Sequence, residues 1–147
     1  MSTLLDTNVL SEVLRSRPDK AVLAWLAAQP VDSLFVSAVT QAEMLLGARL
    51  LPASKRRQQL QEALDSMFAE DFAGRVLPFD SAAAAAYAEL VATRRGARRP
   101  ILQFDAQIAA IALSRRVGLA TRNVSDFEGY GLAVNNPWGS VGSKGAA

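Results

Sequence analysis

A chain of 147 residues, half of them hydrophobic, has ample apolar material for a core and is a natural size for one domain. It contains no cysteine and no histidine, which excludes disulfide staples, thiolate metal sites and thiol nucleophiles and removes the commonest general base at neutral pH. The net charge is only +2, yet the cations bunch at Lys55-Arg56-Arg57, at Arg94-Arg95 with Arg98-Arg99, and at Arg115-Arg116; such clusters suit nucleic acid, an acidic partner or a solvated face.

Thr3 to Leu5 reads as a short buried strand that the polar Asp6-Thr7-Asn8 ends. The apolar run before Asp6 is too short for a signal peptide and lacks a basic leader, and no run reaches membrane-span length, so a soluble cytoplasmic protein is expected. A helix over Val9 to Leu14 is predicted to stop at Pro18, and Asp19 to cap a second one carrying Val22, Leu23, Trp25 and Leu26. After a strand at Leu34 to Val36, Ser37 is a plausible N-cap for a helix from Ala38 to about Leu51, on which Val39, Glu43, Leu46 and Leu50 share one face. Glu43 is thereby expected to point toward the apolar side. A further helix from about Ser54 to Phe72 puts Leu60, Leu64, Met67 and Phe68 inward.

Val76 to Phe79 reads as a third strand, followed by Asp80 or Ser81 capping an alanine-rich helix through about Arg95. The next helix has Phe104, Ile108, Ile111 and Ala112 inward, Asp105 in its first turn, and an end near Gly118. Leu119 to Thr121 and Leu132 to Val134 are the fourth and a possible fifth strand, with a loop or single turn over Arg122 to Phe127 between them. Short strands alternating with helices predict an α/β fold with a parallel sheet of four or five strands flanked by helices, spanning residues 1–138, with a flexible Gly/Ser/Ala tail over 139–147.

Asp6, Glu43, Asp105 and Asp126 each sit at the edge of an apolar run. Carboxylates there lose hydration, and a cluster of them repels itself unless a cation binds. Oxygen-only ligation suits Mg²⁺ or Mn²⁺ and argues against zinc or copper. In an open parallel sheet ligands bind beyond the carboxyl ends of the strands, where acids from four segments can meet. Taken singly, each acid is more simply a cap, a loop acid or a peripheral helix residue; an acid at every strand end or inward helix face is harder to assign to coincidence. Thr7, Asn8, Ser37, Thr40 and Thr121 are candidates for hydrogen bonds that orient the carboxylates, with helix capping the simpler role for Ser37. Arg122 is placed to contact a phosphate or to neutralise the acids. No stacking aromatic interleaves with the arginine clusters.

These segments resemble the PIN-domain ribonucleases, and within them the VapC-like toxins of type II toxin–antitoxin pairs. Residues 4 to 12 (Leu-Leu-Asp-Thr-Asn-Val-Leu-Ser-Glu) are similar to that family's first motif, and Ser37-Ala38-Val39-Thr40-Gln41-Ala42-Glu43 with Leu46-Gly47 to its second. Asp105 to Ala110 is similar to the third, Thr121 to Phe127 to the fourth, and Asn136-Pro137-Trp138 to the ending of one branch. The resemblance implies a PIN-like three-layer fold, and Asp6, Glu43 and Asp105 as ligands of Mg²⁺ or Mn²⁺. The family's fourth acid can directly follow Thr-Arg; here Asn123 occupies that place and Asp126 follows three residues later, so the amide can offer a carbonyl and Asp126 the charge. It implies endoribonuclease activity leaving a 5′-phosphate and a 3′-hydroxyl, a cognate VapB-like antitoxin, and a homodimer. The alternatives are a PIN-like partner-binding module with a weak site, or a housekeeping PIN nuclease without antitoxin. Asp6-Thr7-Asn8 also resembles the first motif of haloacid-dehalogenase phosphatases, but Asn8 stands where those need an acid.

Overall fold

A computed structural model describes residues 1–139 of the chain; the expected flexible tail lies, from residue 140 onward, outside the described residues. Five short strands, β1 (Thr3–Leu5), β2 (Leu34–Ser37), β3 (Val76–Leu77), β4 (Gly118–Ala120) and β5 (Val134–Asn135), form one sheet in the order β3-β2-β1-β4-β5. Every pairing is parallel. The chain builds outward from β1 to β2 and β3, then returns to add β4 and β5 on the other side, so the winding reverses between β1 and β4.

Alternation along the strands divides the core in two. Leu5, Val36 and Ala120 face one side, with Val9, Leu10, Val22, Met44, Leu64 and Phe68 from α1 (Thr7–Val13), α2 (Lys20–Ala27), α3 (Ala38–Arg49), α4 (Lys55–Ser66) and the π turn that prolongs α4 over Met67–Asp71. Leu4, Leu77 and Leu119 face the other, against Ala83 and Leu90 of α5 (Ser81–Gly96), Ile108 and Ile111 of α6 (Gln103–Arg115), and Phe127. The three-layer α/β reading therefore holds. Side-chain caps start the helices where expected: Asp19 accepts from the Ala21 N–H at 2.8 Å, Ser37 from Thr40 at 2.9 Å and Asp80 from Ala83 at 3.0 Å.

Four expectations are corrected. On α3 the buried row is Thr40, Met44 and Ala48, while Leu46 and Leu50 are 56% and 74% exposed. The inward face is rotated by one residue because a threonine with satisfied hydrogen bonds and a small alanine occupy it, and bulk alone pointed to the leucines. Glu43 lies half-buried at the border of that row, beside Thr7. Phe104 is 53% exposed, since it precedes the point where α6 meets the sheet; Ala106, Ile108, Ala109 and Ile111 make the contact instead. The helix ends at Arg116, which adopts the left-handed conformation (φ 56°), and Gly118 already belongs to β4, where a Cβ would come within 3.2 Å of the Ala133 carbonyl oxygen.

Arg94 is the fourth. It belongs to a cluster expected to face solvent or RNA, yet it is buried. Its Nε donates to the Arg99 carbonyl, one terminal nitrogen donates to the Asp126 carbonyl at 2.6 Å, and the guanidinium lies 5.3 Å from the Tyr130 ring centroid. One cation thus ties the end of α5, the loop leading to α6 and the turn carrying Asp126. Arg95, Arg98 and Arg99 stay exposed.

Two stability predictions follow from these placements, both checked by urea unfolding. Met44→Ala should cost about 2–4 kcal/mol and Leu46→Ala less than about 0.5 kcal/mol. Arg94→Ala should cost about 2–3 kcal/mol by removing charge-assisted bonds to two carbonyls, with Arg94→Lys recovering only part because an ammonium lacks the planar fork.

Candidate active site

Asp6 ends β1 and caps α1. Its backbone N–H donates to the Ala120 carbonyl at 2.9 Å, which sets it beside the end of β4 at the reversal point of the sheet. Its side chain is only 3% exposed. Oδ1 accepts the Thr7 N–H at 2.8 Å, and Oδ2 accepts the Thr121 hydroxyl at 2.7 Å. Burial raises its pKa above the usual carboxylate value and outweighs the opposing pull of the Thr121 and Thr7 bonds.

Thr121 is wholly buried and satisfied in three directions. Besides donating to Asp6, its oxygen accepts from the Asn123 N–H at 3.1 Å and the Asn8 side-chain amide at 3.4 Å. The Asn8 oxygen in turn accepts the Arg122 N–H at 3.4 Å. A second chain of hydroxyls reaches Glu43: Thr7 Oγ1 donates to Glu43 Oε1 at 2.7 Å and lies 2.9 Å from Thr40 Oγ1. Thr7 has one hydroxyl proton and gives it to Glu43, so Thr40 donates to Thr7. Ser37 serves as the cap of α3, the simpler of its two roles.

Asp6, Glu43 and Asp105 line one cleft of about 440 Å³ with Thr7, Asn8, Arg122 and Asn123. Asp105, in the first turn of α6, has its pKa pushed up to about 6, chiefly by burial and then by the charges of Asp6, Asp126 and Glu43. Asp126 is exposed in the 3-10 turn Val124–Phe127 and acts on Asp105 through its charge; it is not among the residues lining the cleft. The exposed amide of Asn123 is. Among the described residues no three acidic side chains are gathered tightly enough to enclose an ion. The donor chemistry nonetheless fits a hard divalent cation: the lining offers carboxylate, amide and hydroxyl oxygens, and burial together with the charges of the neighbouring acids raises the Asp105 pKa.

The cleft also takes in Ser11, Glu12, Arg15 and Trp138, which the sequence reading left out. Three of them were detectable, since Ser11 and Glu12 lie three and four residues after Asn8 on α1 and Arg15 follows Glu12 by three, just beyond the helix end. Glu12 is buried, accepts the Asp19 N–H at 2.8 Å and pairs with Arg15 at 3.2 Å, so it anchors the turn into α2. Trp138 was noted only as part of the Asn136-Pro137-Trp138 ending, with no sign of a place in the cleft; β5 brings it there by pairing with β4.

The profile of the PIN domain family matches residues 3–130. The chain is 44% identical to the VapC ribonuclease Y4jK of Sinorhizobium fredii over 135 residues, 92% of this chain and 96% of that protein. It is 41% identical to Toxin FitB of Neisseria gonorrhoeae over 92% of this chain and 97% of that one. The crystal structure of FitAcB from Neisseria gonorrhoeae superposes with a TM-score of 0.87 at 40% identity, covering 92% of this chain and 98% of that one. A family profile matched over residues 3–130, together with relatives more than 40% identical over 92% of its length, makes this chain a member of the PIN-domain family.

Proposed function

We propose that the chain is a metal-dependent endoribonuclease and the toxin of a toxin–antitoxin pair, acting in the cytoplasm. The observation that carries this is the meeting of Asp6, Glu43 and Asp105, from three separate segments, in one histidine-free cleft at the reversal point of a parallel sheet. The names of the relatives, a VapC ribonuclease and a toxin, support it.

Asp6, Asp105 and Glu43 are the residues that would hold Mg²⁺ or Mn²⁺, with Asp126 and Asn123 contributing charge and a carbonyl at the margin. When bound, the ion supplies a more acidic water and neutralises charge on the phosphoryl oxygens. The chain's own part is orientation. Thr121 and the Thr7 N–H fix both oxygens of Asp6, and Thr7, backed by Thr40, fixes one oxygen of Glu43. Asn8 braces Thr121 and the Arg122 backbone, and the exposed Arg122 side chain is positioned for a phosphate. In the reaction water attacks phosphorus and the P–O3′ bond breaks. The water oxygen stays on the 5′-phosphate, and the proton ends on the 3′-hydroxyl.

An antitoxin is the expected partner, since the structures of relatives include toxin–antitoxin complexes. A groove of about 810 Å³ between α1, α3 and α4 is lined by Leu14, Met44, Leu60 and Leu64 and shares Thr7, Ser11, Arg15 and Glu43 with the cleft. A partner laid along it reaches the acids. A homodimer is the expected assembly of the toxin itself.

Purified protein freed of any partner should cut RNA in Mn²⁺ or Mg²⁺, leaving 5′-phosphate ends. Asp6→Asn should lower the rate by more than about 100-fold while leaving the melting curve cooperative and partner binding intact. If neither protein cuts any RNA and calorimetry finds no Mn²⁺ binding, the module reading replaces the enzyme.

A pH prediction concerns the metal-free protein. Asp105 has its folded pKa raised to about 6 from 3.8, so folding favours its protonated form. Its contribution to stability is full below pH 3.8 and is lost as pH rises through about 6. Asp105→Asn should remove this part of the pH dependence in thermal melts. Calorimetric Mn²⁺ binding should release a proton and tighten as pH rises across the same window.

A further inference from the structure

Arg94 is a buried cation that lines neither groove and forms no ion pair among the described residues. A guanidinium taken out of water without a carboxylate is costly, and an apolar side chain of similar length would fill the place without that cost. What it holds in return is backbone. Its Nε donates to the Arg99 carbonyl while its own carbonyl accepts the Arg99 N–H at 2.8 Å, so both main-chain groups of Arg99 are clamped ahead of α6, whose first turn carries Asp105. A terminal nitrogen donates to the Asp126 carbonyl at 2.6 Å. From there an unbroken run of hydrogen bonds leads to the cleft: the Asp126 N–H donates to the Asn123 carbonyl at 3.1 Å, the Asn123 N–H to the Thr121 hydroxyl oxygen at 3.1 Å, and the Thr121 hydroxyl to Asp6 Oδ2 at 2.7 Å. The charges that act on Asp105 are those of Asp6, Asp126 and Glu43, so Arg94 bears on the site through the backbone it holds.

We propose that Arg94 is a positioning residue for the ion site: from behind the cleft it fixes the approach to Asp105 and the turn carrying Asn123 and Asp126, and the affinity of the carboxylates for a divalent cation depends on it. This rests on the metal-dependent nuclease reading above and goes beyond a contribution to stability. Carboxylates bind an ion well when their own supports are fixed, and losing such a support weakens binding about 10–100-fold. An arginine with a structural role alone would lower the stability of the fold and leave the ion affinity of the folded protein unchanged.

Mn²⁺ is titrated by calorimetry into the full chain under conditions in which every variant is folded, and amide hydrogen exchange is measured on the same proteins without metal. Arg94→Lys should weaken Mn²⁺ binding about tenfold and Arg94→Gln about 100-fold. In both, exchange at the Asn123 and Asp126 amides should quicken by a larger factor than in β1 and β4. Val22→Ala, a cavity variant in the core on the opposite face of the sheet, is the control for lost stability alone; its Mn²⁺ affinity should stay within about twofold of the wild type. Should Arg94→Gln not fold, Arg94→Lys carries the comparison together with Tyr130→Leu, which keeps the cation, removes the ring 5.3 Å from it and should give a smaller loss of the same kind. Mn²⁺ affinity unchanged in the Arg94 variants, or reduced as much in Val22→Ala, overturns the positioning role while the nuclease reading stands. Exchange at the two amides no faster than elsewhere overturns it as well. A wild-type protein that binds no Mn²⁺ overturns the metal-dependent reading itself, and this role with it.

Discussion

A carboxylate placed almost out of water at the end of the central strand is the constraint around which the rest of the molecule is arranged. Asp6 closes β1 against β4 through its backbone and opens α1 as its cap, so its charge sits where three elements meet. Such a group is costly unless each oxygen has a donor, and Thr7 and Thr121 provide one each. These threonines are therefore bound up with the fold as well as with the site. Thr121 bonds Asp6, Asn8 and Asn123 at once, and Thr7 passes the constraint to Glu43 on α3.

The acids nevertheless remain mutually repulsive. Asp105 registers this most clearly, being half-buried and facing the charges of three other acids. No lysine or arginine forms an ion pair with Asp6, Glu43, Asp105 or Asp126 among the described residues; the ion pairs present are Arg15–Glu12 and Arg115–Asp80. Arg94 supports the site differently, by bonding main-chain carbonyls behind it and so joining the segments that lead to Asp105 and Asp126. The four acids are left without ion pairs and are rigidly backed, a combination that suits a hard cation.

The two grooves adjoin. The acidic cleft and the apolar groove between α1, α3 and α4 share Thr7, Ser11, Arg15 and Glu43. A segment laid along the apolar groove would end beside the carboxylates.

Much of this was legible in the residue order. Short apolar triplets ending in Asp6 or Ser37, caps at Asp19, Ser37 and Asp80, and inward rows such as Leu64, Met67 and Phe68 are local signals, and local physics obeyed them. The lack of histidine and cysteine already confined the available chemistry to carboxylate, hydroxyl, lysine and arginine groups. What the tertiary structure alone decided were relations between distant residues. Thr40 rather than Leu46 turned inward on α3 because a hydroxyl from α1 was there to satisfy it. Arg94 left its basic cluster for the interior because carbonyls of Arg99 and Asp126 met it there. Asn123 entered the cleft while Asp126 stayed at its margin, and Trp138 came under Arg122, since β5 pairs with β4. Hydrophobic period and capping are written in neighbouring residues, whereas the partner that makes a buried polar group tolerable is supplied by another part of the chain, and only folding brings the two together.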